Sequence, residues 1–164
     1  MSQFTSPART VRPIPEGYHT VTPTLIVRRA TEAIEFYTRA FGARELGRMP
    51  TPDGQLIWHA ELQIGDARVM LADEFPDMGG RAPESLGGTP VSLHLYVEDA
   101  DALVKRAVDA GATVIEPVMD VFWGDRYGRI RDPFGHEWSV GTHVEDVDEE
   151  EMRRRASALA GSPT

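Results

Sequence analysis

Apolar residues recur at helical spacing in two stretches of the chain. In TEAIEFYTRAF they stand at positions 33, 34, 37 and 41, and Gly42 follows directly. In DADALVKRAVDAGA they stand at 100, 103, 104, 107 and 110, with Gly111 next. This spacing places the apolar side chains on one face of a helix, and glycine suits the left-handed residue that ends many helices. We therefore predict two amphipathic helices, the second with Asp99 as its N-cap.

Each predicted helix is flanked by segments that show the pattern of strands. TLIV precedes the first helix, and RELGRM, LIWHAELQI and RVMLAD follow it; VSLHLYV precedes the second helix, and TVIEPV, GRIRD and HEWSVGT follow it. LIWHAELQI alternates as a half-buried strand does, and the turn signals TPDGQ and GDA bound it. The order strand-helix-strand-strand-strand therefore occurs twice, at an offset of about seventy residues, which indicates a duplicated module.

The repeat predicts the domain organisation. We expect one domain of two modules between a proline-rich arm, ordered only near Tyr18, and a charged helical tail. The predicted boundaries are 1–19 for the arm, 20–143 for the domain, with module one at 20–73, a linker at 74–90 and module two at 91–143, and 144–164 for the tail.

Packing considerations then give the fold class. Neither module can bury its sheet face and its helix alone, so the two must pack together. We predict an α+β fold in which tandem βαβββ modules form a curved mixed sheet. Its concave face, opposite the helices, forms a cup where a small ligand would lie. Trp58 and Trp138 are both predicted to lie in the core, on the helix side of their strands.

Composition and charge narrow the possible partners. The net charge is −9, and six acidic residues lie between positions 145 and 151, which disfavours a nucleic-acid partner. No run of eighteen apolar residues occurs, so we expect no membrane-spanning helix. The chain has no cysteine, which excludes disulfides and zinc-thiolate sites and is compatible with a reducing cytosol. We therefore expect a cytoplasmic protein.

The tandem arrangement, together with AIEFYTRAFGA in the first half and WGDRY and DPFGHEWSV in the second, resembles the vicinal oxygen chelate superfamily. This superfamily includes glyoxalase I, bleomycin-resistance proteins, fosfomycin-resistance enzymes and extradiol dioxygenases. The chain looks most like its PhnB-like, glyoxalase/bleomycin-resistance-like branch, over roughly residues 20 to 143. The resemblance implies the fold, a frequent homodimeric state and several alternative chemistries, because one scaffold can host unrelated functions.

The resemblance also implies where a metal ion would be bound. Metal-using relatives place ligands on the first and last strand of each module. The matching positions here are Thr22, Ser92, Ser139 and either Val69 or Met70. None of them is His, Glu, Asp or Gln, and neighbouring residues point to the opposite face of a strand. We therefore expect no metal at the superfamily's usual site and no obligatory cofactor.

The sequence also allows an alternative metal site. His59 and Glu61 stand two residues apart and share a strand face, while His94 shares a face with Ser92 and Tyr96. Together they would form a set of two histidines and one carboxylate, suited to Zn, Ni, Mn or Fe. Two polar residues on a sheet face, with His94 hydrogen-bonded nearby, are the simpler interpretation. In the second module Arg129 and Arg131 are expected to correspond to His59 and Glu61.

Three functional hypotheses follow from these residues. The first is a small organic molecule bound in the cup without an obligatory metal, as in bleomycin-resistance proteins. The predicted ligand-binding residues are His59, Glu61, His94, Tyr96, Trp123, Tyr127 and Arg129. The second is a glyoxalase-type lyase or isomerase with a divalent ion, in which Glu61 or Glu137 would move a proton. The third is a protein-interaction module without a ligand.

Overall fold

The computed structural model describes residues 11–160 of the chain. Eight strands and three longer helices follow one another in the predicted order. They are β1 (Thr24–Val27), α1 (Ala30–Phe41), β2 (Arg44–Pro50), β3 (Ile57–Ile64), β4 (Ala67–Asp73), then a short helix α2 (Pro83–Leu86), β5 (Ser92–Tyr96), α3 (Ala100–Asp109), β6 (Thr113–Asp120), β7 (Asp125–Arg131), β8 (Glu137–His143) and α4 (Glu149–Ala160). The linker between the modules contains α2 and a 3₁₀ turn at Pro76–Met78.

The strands form two four-stranded mixed sheets, one from each module. The first sheet has the order β1-β4-β3-β2 and the second has the order β5-β8-β7-β6. In both, the first strand runs parallel to the last, and the remaining pairs are antiparallel. The prediction of an α+β fold with two βαβββ modules is therefore confirmed.

The strand registers show which residues of the two modules correspond. Thr24 lies opposite Met70, which in turn lies opposite Glu61. In the second sheet His94 lies opposite Ser139, which lies opposite Arg129. Arg129 therefore corresponds to Glu61 and not to His59. The sequence-based alignment of Arg129 with His59 was wrong by two residues, because the second module is two residues shorter than the first between its first and third strands.

Corresponding residues at the ends of β4 and β8 cap the two long helices. The buried carboxylate of Asp73 accepts hydrogen bonds from the backbone N–H of Ala30 at 2.9 Å and of Ile57 at 2.7 Å. Thr142 Oγ1 accepts one from the N–H of Ala100 at 2.9 Å. The first N–H groups of a helix lack partners within the helix, so these side chains fix each helix to its own sheet. Asp99 is the N-cap of α3, as predicted, and accepts from the N–H of Ala102.

The two modules share one hydrophobic core. Helices α1 and α3 pack against each other, and the largest buried side chains come from both halves. Tyr37 of α1 lies 5.6 Å from Trp138 of β8, measured between ring centroids, and Phe41 lies 4.9 Å from the same ring. Trp138 is 2% exposed, which confirms its predicted place in the core.

A buried carboxylate in the stretch RIRDPFGHEWSV holds this core together. Asp132 accepts hydrogen bonds from the hydroxyl of Tyr37 at 2.6 Å and from the indole N–H of Trp138 at 2.9 Å. It also accepts from the backbone N–H groups of Phe134 and His136. Burial and the neighbouring carboxylate raise the pKa of Tyr37 well above its ordinary value. Asp132 thus joins α1 of one module to the last hairpin of the other.

Trp58 does not lie in the core, contrary to the prediction. It is 45% exposed, while Ile57 beside it is buried. The pairing of β2 with β3 shifts here, since Met49 lies opposite His59 and Pro50 opposite Ile57. Trp58 is therefore the extra residue of a β-bulge, which breaks the strict alternation of sides that the prediction assumed.

In the tail helix α4, glutamates pair with arginines four residues apart in two cases and three residues apart in one. Glu149 pairs with Arg153 and Glu151 pairs with Arg155, both four residues apart. Arg154, however, contacts Glu151 and not Glu150. Within residues 11–160, no helix is long and apolar enough to cross a membrane.

Candidate functional site

The face of the second sheet that points away from the helices carries a cluster of rings. The imidazole of His94 lies 4.4 Å from the ring of Tyr96 in an edge-on arrangement and 6.1 Å from Tyr127, nearly parallel to it. Trp123, in the loop between β6 and β7, lies 5.3 Å from Tyr127. Tyr96 is 68% exposed, so the cluster faces solvent although its members contact one another.

Asp125 fixes the orientation of these rings from beneath. It is only 2% exposed, and it accepts hydrogen bonds from the indole N–H of Trp123 at 3.0 Å and from the hydroxyl of Tyr96 at 3.2 Å. Its second oxygen lies 2.7 Å from Nδ1 of His143. Burial alone would raise the pKa of Asp125, but these hydrogen bonds outweigh burial and hold it below the ordinary value. The exposed aromatic side chains are therefore preorganised by an ionised carboxylate.

His94 is positioned by Ser139 and by a glycine. Its Nδ1 lies 2.7 Å from Oγ of the buried Ser139, one strand away. Gly141 leaves room for the imidazole, since a Cβ there would lie 3.1 Å from Nε2 of His94. Burial lowers the pKa of His94, although Asp125 acts in the opposite direction. A neutral imidazole at pH 7 can either donate or accept a hydrogen bond at the exposed nitrogen.

Arg129 stands two residues after Tyr127 on β7, lies on the same face and pairs with Glu137 of β8. Arg129 pairs with Glu137 and with Glu116, both at 2.9 Å, and Arg131 also pairs with Glu137 at 2.9 Å. Hydrogen bonds from Arg131 and then the charge of Arg129 lower the pKa of Glu137. The guanidinium of Arg129 thus has a fixed position, with both of its terminal nitrogens already engaged.

His59 and Glu61 lie on the other sheet. They contact each other at 3.3 Å, as the shared strand face predicts, and Arg68 lies 3.9 Å from Glu61. Tyr18 of the N-terminal arm covers this face. The structure therefore brings together four of the seven predicted ligand-binding residues, namely His94, Tyr96, Trp123 and Tyr127, with Arg129 further along the same sheet and with His59 and Glu61 on the first sheet.

The alternative metal set of His59, Glu61 and His94 is divided between the two sheets of the chain. Among residues 11–160, no three His, Asp or Glu side chains lie together in a way that could hold a metal ion. At the positions implied by the superfamily resemblance, Met70 faces the same side as Thr24, whose hydroxyl lies 3.7 Å from its sulfur, while Val69 is buried. Hydroxyls and a thioether are weak ligands for Zn, Ni, Mn or Fe, so these residues do not fit a divalent ion.

The two candidate catalytic carboxylates have pKa values shifted away from neutrality. Contacts with Tyr18 first, then with His59, lower the pKa of Glu61, and Arg131 and Arg129 lower that of Glu137. A general acid or base works best with a pKa near the working pH. Both carboxylates are therefore ionised at pH 7, and neither is held protonated as a general acid would have to be.

Sequence reasoning missed Asp125 and His143 as parts of the site. Asp125 begins β7 and has the same strand parity as Tyr127 and Arg129, so alternation could have placed it on this face. His143 stands at the end of β8, where no pattern in the sequence indicates a role for it. Its proximity to Asp125 depends on the pairing of the two strands.

Comparison with known proteins agrees with this architecture. The profile of the Glyoxalase/Bleomycin resistance protein/Dioxygenase superfamily matches residues 18–140. An uncharacterized protein of Mycobacterium tuberculosis (strain ATCC 25618 / H37Rv) is 52% identical over 141 residues, which cover 84% of this chain and 82% of that protein.

Two solved structures show the same fold. The X-ray structure of a gene product from Arabidopsis thaliana has a TM-score of 0.62 and 29% identity, covering 76% of this chain and 98% of that one. A PhnB protein from Bacillus cereus has a TM-score of 0.57 at 16% identity, covering 76% and 99%, which shows a likeness of fold alone. By the extent of the profile match and by these relatives, the chain belongs to the Glyoxalase/Bleomycin resistance protein/Dioxygenase superfamily, also called the vicinal oxygen chelate superfamily.

Proposed function

We propose that the protein binds a small aromatic molecule on the exposed face of its second sheet, without an obligatory metal ion. The observation that carries this proposal is the buried Asp125, which holds the half-buried indole of Trp123 and the exposed ring of Tyr96 in fixed orientations. Without this hydrogen bond the exposed ring of Tyr96 would be free to change rotamer. Preorganised rings do lower the entropic cost of binding a flat ligand.

The polar groups on this face suggest what the ligand carries. His94 offers one imidazole nitrogen that is not engaged by Ser139, and its lowered pKa keeps the ring neutral. Arg129 lies further along and already has carboxylate partners. The face therefore suits an uncharged aromatic ring with one hydroxyl or carbonyl group, better than it suits a phosphate or a polyanion.

The placement within the PhnB-like branch is part of this proposal. It is supported by the fold of the Bacillus cereus PhnB protein and by the absence of strong metal donors at the positions of Thr22, Ser92, Ser139 and Met70. Binding without a metal follows from the weakness of those donors. A glyoxalase-type lyase or isomerase reaction is not favoured by the lowered pKa values of Glu61 and Glu137.

The test is a ligand screen in which binding is detected by protein stability and by the fluorescence of the tryptophans. A panel of uncharged aromatic compounds is added to the purified protein, and thermal unfolding and tryptophan fluorescence are measured. A true ligand raises the melting temperature, because it binds only the folded state. We expect Tyr127→Ala and His94→Ala to weaken such a ligand at least tenfold, whereas Trp58→Ala, on the first sheet, leaves its affinity unchanged.

Two outcomes contradict the proposal. Stoichiometric Zn, Ni, Mn or Fe in the purified protein, with binding abolished by a chelator, would show that a metal is required. The absence of any thermal shift across the panel at millimolar concentrations would favour a protein-interaction module instead.

We also propose a homodimer. Several apolar side chains on and before β5 and in the linker are exposed in the single chain, namely Val91 at 60%, Tyr96 at 68% and Leu86 at 60%. A second copy that covers this region would enclose the ring cluster and turn an open face into a pocket. Analytical ultracentrifugation gives the mass in solution, and a monomer at micromolar concentration would contradict this assembly.

A further inference from the structure

We propose that the face of the first sheet is a second binding site, one that takes a phenol and that the chain fills with its own Tyr18. The aromatic ring of Tyr18 lies over the guanidinium of Arg68, with 4.9 Å between the ring centroid and Cζ. Its hydroxyl approaches the carboxylate of Glu61. A phenol would use the same two groups, the cation under its ring and the carboxylate as acceptor for its O–H.

The fit of Tyr18 in this site is incomplete. Its hydroxyl is buried but makes no hydrogen bond of good geometry, and Nε of Arg68 is buried without an acceptor. Buried polar groups normally have partners, because leaving them unsatisfied is costly. Two such atoms in one place leave hydrogen-bonding capacity that a phenol free to adjust its position would use.

The arm is attached weakly and leaves space beside Tyr18. Of the arm residues 11–21, only Tyr18 is even partly buried, and it closes a turn through its N–H to the carbonyl of Pro15 at 3.1 Å. A cavity of about 370 Å³ lies between the arm and the side chains of Glu61 and Met70. This volume can hold one substituted ring once Tyr18 has left.

Gly17 shows that the arm is shaped for this contact. Its φ is 81°, in the left-handed region, and a Cβ at this position would lie 2.5 Å from Nη2 of Arg68. Glycine therefore allows the arm to turn and the guanidinium to lie directly beneath it. A side chain at position 17 would force the guanidinium of Arg68 to move, so glycine favours this contact.

The corresponding positions of the second sheet offer no such site. Strand register places Glu137 where Arg68 stands, and Glu137 is saturated by two arginines. Arg68 has only the distant Glu61 at 3.9 Å. The free hydrogen-bonding capacity of the charged pair thus lies on the first sheet alone.

The experiment removes the side chain of Tyr18 by mutation and then adds p-cresol, which has the shape of the tyrosine side chain. We expect the full-length Tyr18→Ala variant to bind p-cresol at least tenfold more tightly than the wild-type protein, by NMR titration of backbone amides. In the wild type, p-cresol must compete with Tyr18, whose short tether gives an effective concentration in about the millimolar range. Chemical shifts should move at Arg68, Glu61 and Met70.

Matched controls identify the chemistry of the site. Toluene, which lacks the hydroxyl, should bind Tyr18→Ala at least fivefold more weakly than p-cresol. Arg68→Met added to Tyr18→Ala should weaken p-cresol at least fivefold, whereas Tyr96→Ala, on the second sheet, should not change its affinity. Tyr18→Phe keeps the ring in place and should bind p-cresol no better than the wild type does.

Equal affinity of wild type and Tyr18→Ala for p-cresol, or equal affinity for toluene and p-cresol, would overturn the proposal. If Tyr18→Ala does not fold, the wild-type protein still provides a test. Excess p-cresol should then move the ring signals of Tyr18 toward those of a tyrosine in an unfolded peptide. Ring signals that stay in place while shifts appear elsewhere would contradict displacement.

Discussion

The two modules share their backbone scaffold but differ on the sheet faces that point away from the helices. Asp73 and Thr142 stand at corresponding strand ends and cap corresponding helices. At two other corresponding pairs of positions the charges are reversed, since Glu61 and Arg68 of the first sheet match Arg129 and Glu137 of the second. The comparison teaches that residues which satisfy backbone groups constrain the fold, whereas the faces are free to acquire different chemistry.

Both modules share one core, and Asp132→Ala tests this with the largest expected effect. The substitution leaves the Tyr37 hydroxyl, the Trp138 indole N–H and two backbone N–H groups without their acceptor. We expect the free energy of unfolding to fall by about 3 kcal/mol or more. Urea denaturation followed by fluorescence and by circular dichroism should show one cooperative transition, moved to lower urea.

The matched control for that variant is Asp66→Ala, in the exposed turn between β3 and β4. It should change the free energy of unfolding by less than about 0.5 kcal/mol. Two separate transitions for Asp132→Ala would mean that the modules unfold independently, which contradicts a shared core.

The two helix caps allow the scaffolds to be compared directly. Asp73 satisfies two buried backbone N–H groups, whereas Thr142 satisfies one. We expect Asp73→Ala to lower the free energy of unfolding by about 2 kcal/mol and Thr142→Val by about 1 kcal/mol, measured by urea denaturation. Thr142→Ser retains the hydroxyl and should lose less than Thr142→Val. A larger effect for Thr142→Val than for Asp73→Ala would show that hydrogen-bond number does not set the difference.

The reversed charges predict a difference in stability between variants of the two sheet faces, smaller than the difference between the helix caps. Glu137 has two arginine partners at 2.9 Å, whereas Glu61 has Arg68 at 3.9 Å. We expect Glu137→Gln to lower the free energy of unfolding by about 1 kcal/mol and Glu61→Gln by less than about 0.5 kcal/mol at low salt. Salt should reduce the effect at Glu137, as it screens the charges. Equal losses at both positions would remove this distinction between the sheets.

The smallest expected effect is a pH dependence that belongs to the second module. Asp146 and Asp125 raise the pKa of His143 above its ordinary value. Protonated His143 therefore stabilises the folded state below the unfolded pKa of about 6.5, and this contribution is lost as pH rises through the folded pKa. In His143→Gln, the decline of the unfolding free energy from about pH 6.5 upward should be shallower than in the wild type. An unchanged slope would show that another group titrates there.

The fold could be predicted from the sequence because its signals are local and occur twice. The helical spacing of Ile34, Tyr37 and Phe41, with Gly42 after them, predicts α1, and the structure places Gly42 in the left-handed region. The same signals at Asp99 and the following residues predict α3. A pattern that fits one module is supported by its recurrence in the other.

The errors and omissions arise where an element departs from ideal alternation or where distant strands meet. A β-bulge turns Trp58 outward, and no residue in LIWHAELQI indicates in advance that a bulge occurs there. The candidate site depended on strand pairing, which brings Asp125 to His143 and His94 to Ser139 across separate segments. The contact of Tyr18 with Arg68 joins residues fifty positions apart and has no periodic signal.

The three tryptophans of the chain report on three different regions. Trp138 lies in the shared core, Trp123 at the rim of the second sheet's face, and Trp58 in solvent at the bulge of the first sheet. Their emission should therefore separate by wavelength and by access to a soluble quencher such as iodide. A protein that lacks cysteine for selective labelling thus already contains an optical probe for unfolding, one for occupancy of the ring cluster and one for the β3 bulge of the first sheet.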